Sequence, residues 1–277
     1  MCSTSLAIFD RRNGSVVHSV PFPDAQNPDL IPPPETFIWH YVRYEYFKAL
    51  LTNRSIWFTR LDKQTDKTDG NYSEANAHEM TPPVKNLMNL MGNVESVNWP
   101  SLKQTNQRLR QKTYVHCWSM RPHESPWMWN SFLEGETRSV AVRSSIGRLH
   151  DALSGQPVEL KRIIYYPPGI PRPDYSFTAP FAAKDKMKHM EERELRIIMT
   201  TAIGVTEQAE HKLIPVDLKS LIGMVVVHPL SPPEFRDEFH AELTRNSVTV
   251  RVARSKLNPI DLQAVAKAMK SRQSGNS

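Results

Sequence analysis

The residues best suited to chemistry lie in Glu191-Glu192-Arg193-Glu194-Leu195-Arg196, which runs into Ile197-Ile198-Met199. Side chains alternate along an extended strand, so Glu192, Glu194 and Arg196 are expected on one face and Arg193, Leu195 and Ile197 on the other. Crowded carboxylates raise each other's pKa and a nearby guanidinium lowers them, so one can stay ionised while the other carries a proton. A charged helix end with ordinary surface pairs is the competing reading. A second group is Ser125-Pro126-Trp127-Met128-Trp129-Asn130-Ser131-Phe132. On a helix Trp127 and Trp129 stand about 200° apart and cannot both face one core. One of them is expected to line a cleft, where a planar nicotinamide or nucleobase could stack, or to cover a loop; plain core packing is the alternative. A third group is Trp39-His40-Tyr41-Val42-Arg43-Tyr44, followed by Trp57-Phe58-Thr59-Arg60 and a polar loop with Asp62, Asp66 and Asp69-Gly70. Aromatic residues beside Arg and His suit a phosphate-bearing aromatic ligand. An amphipathic rim of a sheet has the same composition.

The elements that must hold these groups can be read from turns and periodicity. Asn13-Gly14 between Leu6–Phe9 and Ser15–Val20 is a hairpin signal. Pro21–Pro34 carries six prolines and reads as a linker. Tyr46, Phe47, Leu50 and Leu51 mark a helix face before the strand Ile56-Trp57-Phe58, and Asp62–Glu74 reads as an exposed loop. Val84–Val94 has helical spacing. Tyr114–Trp118 reads as a buried strand, and Ser125-Pro126 as an N-cap with proline opening a helix that Gly135 stops. Further strands are expected at Ser139–Arg143, Val158–Tyr166, Leu195–Thr200, Met224–His228 and Ser247–Val252. Helices are expected at Ser145–Leu153, Pro232–Leu243 and Pro259–Met269, with a charged helix or turn at Lys184–Glu192 and a rigid loop at Pro167–Pro173. Several strands follow one another without a helix between, which favours an α+β fold with a mixed or antiparallel sheet core and flanking helices. The expected organisation is a hairpin and linker over residues 1–34, a single core domain over 35–258, and a C-terminal helix with a basic tail over 259–277.

The chain has 277 residues, 39% of them hydrophobic, enough for a real core. No apolar run nears the roughly 18–20 residues that span a bilayer, and the start lacks a secretory pattern. With Cys2 and Cys117 alone, a disulfide framework is not expected. The expectation is a cytoplasmic protein without a membrane role. A net charge of +6 hints at acidic partners, although part of it lies in the tail Lys267–Ser277, which is expected to fray. No glycine-rich phosphate loop or Gly-x-Ser-x-Gly elbow occurs. His116 and Cys117 are neighbours in a strand and point to opposite faces, so they do not form a nucleophile–base pair. The histidines show no metal-ligand spacing, and no metal is expected. A metal-dependent nuclease built on Asp174, Glu192 and Glu194 is a remaining alternative, weakened because Arg196 stands where a lysine is usual.

Taken in order, these pieces resemble a bacterial family of unknown function found near phage-defence genes. The likeness runs from Trp39 to Pro229. It comprises the aromatic-Tyr start, the Asp66–Gly70 loop, Val115-His116-Cys117-Trp118-Ser119, Met128-Trp129-Asn130-Ser131-Phe132, Gly135, and Lys184 or Lys186 ahead of Glu192-Arg193-Glu194-Leu195-Arg196. It departs at the loop, where Asn-Asp-Pro-Phe-Glu is usual and Thr65-Asp66-Lys67-Thr68-Asp69-Gly70 stands. It departs again ahead of Glu192, where a Trp is usual and Met187 or Met190 is near. The same order of parts is more distantly similar to ADP-ribosyltransferases. That resemblance implies NAD as substrate, Glu194 as main catalytic carboxylate and Glu192 as its acceptor-side helper. It implies that Tyr41, Arg43, Ser119 and Trp129 contact NAD, with His40 an alternative to Arg43 and Arg196 a supporting charge. The implied role is a defence effector or toxin acting on a protein or nucleic acid. The competing role is a non-catalytic sensor or antitoxin-like interaction module.

Overall fold

Strand β3 (Phe37–Arg43) sets the frame because its side chains alternate between two apolar clusters. Ile38 belongs to the larger core, and Trp39 and Tyr41 to a smaller one on the opposite face. The computed structural model describes residues 8–9, 16–17, 31–71, 99–133, 136–167, 179–201 and 209–274. Strands β1 (Ile8–Phe9) and β2 (Val16–Val17) pair antiparallel, Ile8 opposite Val17, as the Asn-Gly turn predicts. The expected helix at Val84–Val94, Asp174 and most of Pro21–Pro34 fall outside the described residues.

From β3 the chain enters helix α1 (Tyr44–Asn53), which buries Tyr44, Phe47 and Leu51. The buried face is therefore shifted from the expected one: Tyr46 is 61% exposed. Spacing of three and four residues selects the row that meets the sheet. Arg54, at φ 47°, ends the helix, and β4 (Ser55–Arg60) returns along the sheet. Next come helix α2 (Trp99–Arg110), which the sequence reading lacks, and β5 (Thr113–Ser119). Helix α3 (Pro126–Leu133) opens at Ser125, whose Oγ accepts from the Met128 N–H as an N-cap. Then follow β6 (Ser139–Ser145), α4 (Ile146–Ala152), β7 (Glu159–Arg162) and β8 (Ile164–Tyr166). The expected continuous strand Val158–Tyr166 is thus divided at Ile163.

Beyond these lie β9 (Ala183–Asp185), α5 (Lys186–His189), a 3₁₀ turn at Met190–Glu192 and β10 (Glu194–Thr200). β11 (His211–Pro215), α6 (Leu218–Leu221), β12 (Met224–Val227), α7 (Phe235–Arg245), β13 (Arg251–Arg254) and α8 (Pro259–Ser274) complete the chain. Instead of fraying at Lys267, the last segment stays helical to Ser274.

The fold is α+β with a mixed sheet. In its nine-stranded sheet the path β11-β4-β5-β3-β6-β12-β13 is antiparallel except for β12 and β13, and β10 bridges β5 and β7. One edge of β5 pairs with β10 from Glu194–Ser119 to Thr200–Thr113. Its other edge forks: Tyr114 and Val115 pair with β4, whereas Ser119 alone pairs with β3, at Trp39. Two imidazoles replace the missing backbone bonds of the fork. His40 Nδ1–H donates to Cys117 O at 3.0 Å, and His116 Nδ1–H donates to Trp57 O at 2.9 Å. The rings lie 4.4 Å apart.

Burial pushes the His40 imidazole down to about 4 and lowers His116 well below the usual value, with the His40 charge a further cause. Both are neutral in the fold, whereas in the unfolded chain they take up protons near pH 6.5. The unfolded state therefore binds more protons as pH falls from 6.5 towards 4, and stability declines over that window. For His40 the expected loss is about 1–3 kcal/mol. Urea denaturation at pH 7.5 and pH 5 should show it, and the difference should shrink in His40→Gln.

Candidate active site

The acidic end of β10 is held by a backbone kink. Arg193 has φ 44°, in the left-handed region, so Glu192 and Glu194 do not share one extended strand as alternation predicts. Glu192 ends the 3₁₀ turn and Glu194 begins β10. Two bonds from β5 and its exit hold the kink: Ser119 Oγ–H donates to Glu192 O at 2.7 Å, and Met120 N–H donates to Arg193 O at 2.8 Å. The side chains nevertheless converge. Lys184 Nζ lies 2.7 Å from Glu192 Oε2 and 2.8 Å from Glu194 Oε2. Lys184 is delivered by β9, which pairs parallel with β8 so that Lys184 stands opposite Tyr165. The Tyr165 hydroxyl in turn accepts the Glu194 N–H at 2.8 Å.

Arg196 has no exposed surface. It donates from Nε to Glu194 Oε1 at 2.6 Å, from Nη1 to Phe181 O at 2.9 Å, and in a two-pronged contact to Asp69 at 2.9 and 2.8 Å. Asp69 is only 5% exposed, which corrects the expectation of a wholly exposed loop. That loop is pinned by α2, since Asn106 Nδ2 donates to Gly70 O and Arg110 donates to Asn71 Oδ1 and Lys67 O. Gly70 sits at φ +73°, and a Cβ there would lie 2.7 Å from Leu61 Cδ2, so this turn requires glycine. His189 extends the network, with Nδ1 2.8 Å from Glu192 Oε1 and Nε2 3.0 Å from Asp66 Oδ2.

The electrostatics follow from these contacts. Burial alone would raise the Glu194 pKa, but Arg196 and Lys184 outweigh it and hold the carboxyl well below the usual range. Glu194 is therefore an ionised carboxylate. Its Oε1 is taken by Arg196. Its Oε2 is buried and ion-paired to Lys184 at 2.8 Å, and the Cys117 thiol also hydrogen-bonds the carboxylate. The hydrogen bond to Glu192 raises the His189 pKa, so its stabilising contact is complete below pH 6.5 and fades as pH rises through the raised value. Burial pushes the Cys117 thiol up, with Glu194 adding to the effect; a thiol so held is a poor nucleophile.

The remaining residues of interest divide by position. Glu194, Ser119 and Trp39 form one row across β10, β5 and β3, about 10 Å wide at ordinary strand spacing. Ser119 is 1% exposed and its hydroxyl is spent on Glu192 O. Tyr41 and Trp129 belong to a second cluster on the same sheet face, packed edge to face at 4.9 Å with 5% and 0% exposure. Neither offers a free ring face, so core packing describes this pair. Trp127 is the less buried of the two helix tryptophans. Leu262 of α8 seals the cluster, and its carbonyl accepts from Asn130 Nδ2 at 3.1 Å. Arg43 lies opposite Ser139, about 13 Å along β3 from Trp39. His40 projects to the other face, against His116 and Trp118. The structure thus gathers Glu192, Glu194, Arg196 and Ser119, and leaves Tyr41, Trp129, Arg43 and His40 apart from them.

His189 and Tyr165 join the site without a motif to announce them. Among the described residues no group of three or more His, Cys, Asp or Glu side chains could hold a metal, and Lys184 occupies the space between the acids. No helix among the described residues is long and apolar enough to cross a membrane.

No family model and no curated relative match the chain. Among solved structures it is similar to DarT from Thermus sp. 2.9. The DarT complex with NAD+ is 13% identical at a TM-score of 0.38, covering 81% of this chain and 97% of DarT. The complex with ADP-ribosylated single-stranded DNA is 14% identical at 0.37, covering 81% and 96%.

Removing Asp69 leaves the Arg196 guanidinium buried and half-paired. Breaking such a pair costs about 3–5 kcal/mol, so Asp69→Ala should lower the urea midpoint strongly. Arg196→Met in the same background should recover part of the loss, because it removes the orphaned charge.

Proposed function

We propose that the chain is an ADP-ribosyltransferase-like protein that consumes NAD, acting as a phage-defence effector or toxin on a protein or nucleic acid. The observation that carries this reading is Glu194: an ionised carboxylate held rigid by Arg196 at Oε1 and by the Lys184 ammonium 2.8 Å from Oε2. Nicotinamide leaves NAD by cleavage of the bond between its ring nitrogen and the ribose, and positive charge develops on the anomeric carbon and ring oxygen. A carboxylate already fixed and already ionised stabilises that charge without reorganising. In this reading Oε2 of Glu194 accepts a ribose hydroxyl beside the anomeric carbon. Glu192, beyond the Arg193 kink, is the acceptor-side carboxylate and takes the proton that the attacking group loses. Lys184 and His189 keep the crowded acids apart in charge, and Arg196 acts through Glu194 as a positioning residue. Tyr41, Arg43, His40, Ser119 and Trp129 are the NAD contacts of this reading, although they do not converge on Glu194 with free surface.

One observation favours the second reading, a non-catalytic sensor or antitoxin-like module: the acids are already matched by buried cations and Trp129 is wholly covered. The nuclease reading has Lys184 against it, because the ammonium stands where a divalent ion would sit.

Nicotinamide release from NAD, followed by chromatography, separates these readings. The wild-type protein should release it, and Glu194→Gln should be slower by about 100- to 1,000-fold, the scale of losing one fixed electrostatic group. Glu192→Gln should impair transfer to an acceptor more than hydrolysis to free ADP-ribose. Circular dichroism and NAD titration of each variant distinguish lost chemistry from lost folding. A folded wild-type protein that neither binds nor cleaves NAD overturns the proposal.

A further inference from the structure

The sheet carries a second polar feature at the far end of the Glu194–Ser119–Trp39 row, where Arg143 of β6 stands opposite Trp39. A cavity of about 340 Å³ opens where the start of β3, the end of β6 and the turn before β12 meet, lined among others by Glu35, Phe37, Arg143, Arg148 and Gly223. Phe37 is 46% exposed, which nothing in the packing of the sheet requires. The Arg143 guanidinium stands 4.5 Å from the Phe37 ring centre and 5.9 Å from that of Trp39, and among the described residues it has no carboxylate partner. Arg148 is anchored by Nη2, which donates to Lys219 O and Ile222 O at 2.6 and 3.0 Å. Its Nε–H, buried, has no acceptor. A donor left unmatched in this way costs stability unless a ligand completes it. Gly223 keeps the approach open, since a Cβ there would lie 3.1 Å from Arg143 O and 3.5 Å from Arg148 Nε. Glu35, exposed, is the one acid among the lining residues, set against two guanidiniums.

We propose that this cavity binds the phosphate of a nucleotide, held by Arg143 and Arg148 Nε–H, with the base on the free face of Phe37. A guanidinium is the side chain best matched to a phosphate. An exposed aromatic ring beside it adds a sequence-tolerant stacking surface. The volume lies at the lower end of ligand sites, about 300–1,000 Å³, and suits one nucleotide unit. The phosphate can belong to a free mononucleotide or to a single strand. The site shares no residue with the Glu194 cluster, and binding of its probes is measured apart from nicotinamide release.

The probes are inorganic phosphate, adenosine monophosphate and a fluorescein-labelled oligothymidylate, measured by calorimetry and fluorescence anisotropy between about 50 and 200 mM salt. Arg143→Gln should weaken nucleotide and strand about tenfold and reduce the strand's salt slope by about one. Phe37→Leu should weaken nucleotide and strand about 5- to 100-fold and leave inorganic phosphate unchanged. Competition between nucleotide and strand supports one shared site serving both sources; nucleotide binding without strand binding assigns it to the free nucleotide. Both substitutions lie outside the two large clusters, and circular dichroism checks their folding. Should wild-type protein bind none of the probes, or both variants bind as wild type does, the proposal is wrong. Equal binding of all probes by Phe37→Leu likewise overturns it, reducing the cavity to a plain anion site.

Discussion

The fully buried Arg196 guanidinium is the constraint on which the acidic end of the molecule depends. A charge without solvent costs several kcal/mol unless its hydrogen bonds are met. Here they are met by Asp69 from a loop, Glu194 from its own strand and Phe181 O from the segment leading into β9. Three stretches far apart in sequence are therefore obliged to meet. Lys184 and His189 then satisfy the remaining acids, and the cluster forms a closed circuit in which no carboxylate faces a bare apolar wall. Glu194 is ionised because of this arrangement, and the same arrangement makes it stiff.

The fork in the sheet is the second determinant. Because β3 and β5 share one residue pair and then part, the residues of β5 between the two branches turn an unpaired edge towards the gap. His40 and His116 supply side-chain bonds where backbone bonds are missing, which an aliphatic side chain cannot do. The price is a pair of neutral imidazoles in a poorly solvated place. On the far face of β5 the same parting leaves Cys117 and Ser119 beside Glu194 and Arg196, so the fork and the acid cluster are two sides of one feature.

The two aromatic and acidic groups that the sequence singles out share a sheet face yet serve different ends. The Tyr41–Trp129 pair is core, closed by α3 and the start of α8. The acid cluster is polar, nearly closed and charge-balanced. Exposed aromatic surface beside a guanidinium that has no carboxylate partner among the described residues occurs at Phe37 and Arg143. Position on a common face does not make a common site; exposure and spare hydrogen-bonding capacity do.

Much of the fold was legible locally. The Asn13-Gly14 turn, the Ser125-Pro126 helix start and the apolar strands at 114–118, 195–200 and 224–227 depend on backbone preferences and short-range periodicity, which a sequence carries directly. The polar helix α2 and strand β11 were not, because neither shows a strong apolar rhythm: their tertiary neighbours stabilise them. The residue types of the acid cluster were also visible in Glu192, Glu194, Arg196, Lys184 and the Asp66–Gly70 loop. Their meeting was not. Strand alternation put Glu192 and Glu194 together for the wrong reason, whereas the left-handed Arg193 and the reach of Lys184 do so in fact. The sequence by itself determined which side chains bear charge and where strands and turns begin. The tertiary structure alone decided which charges are buried and paired, because burial and pairing are properties of neighbours that lie distant along the chain.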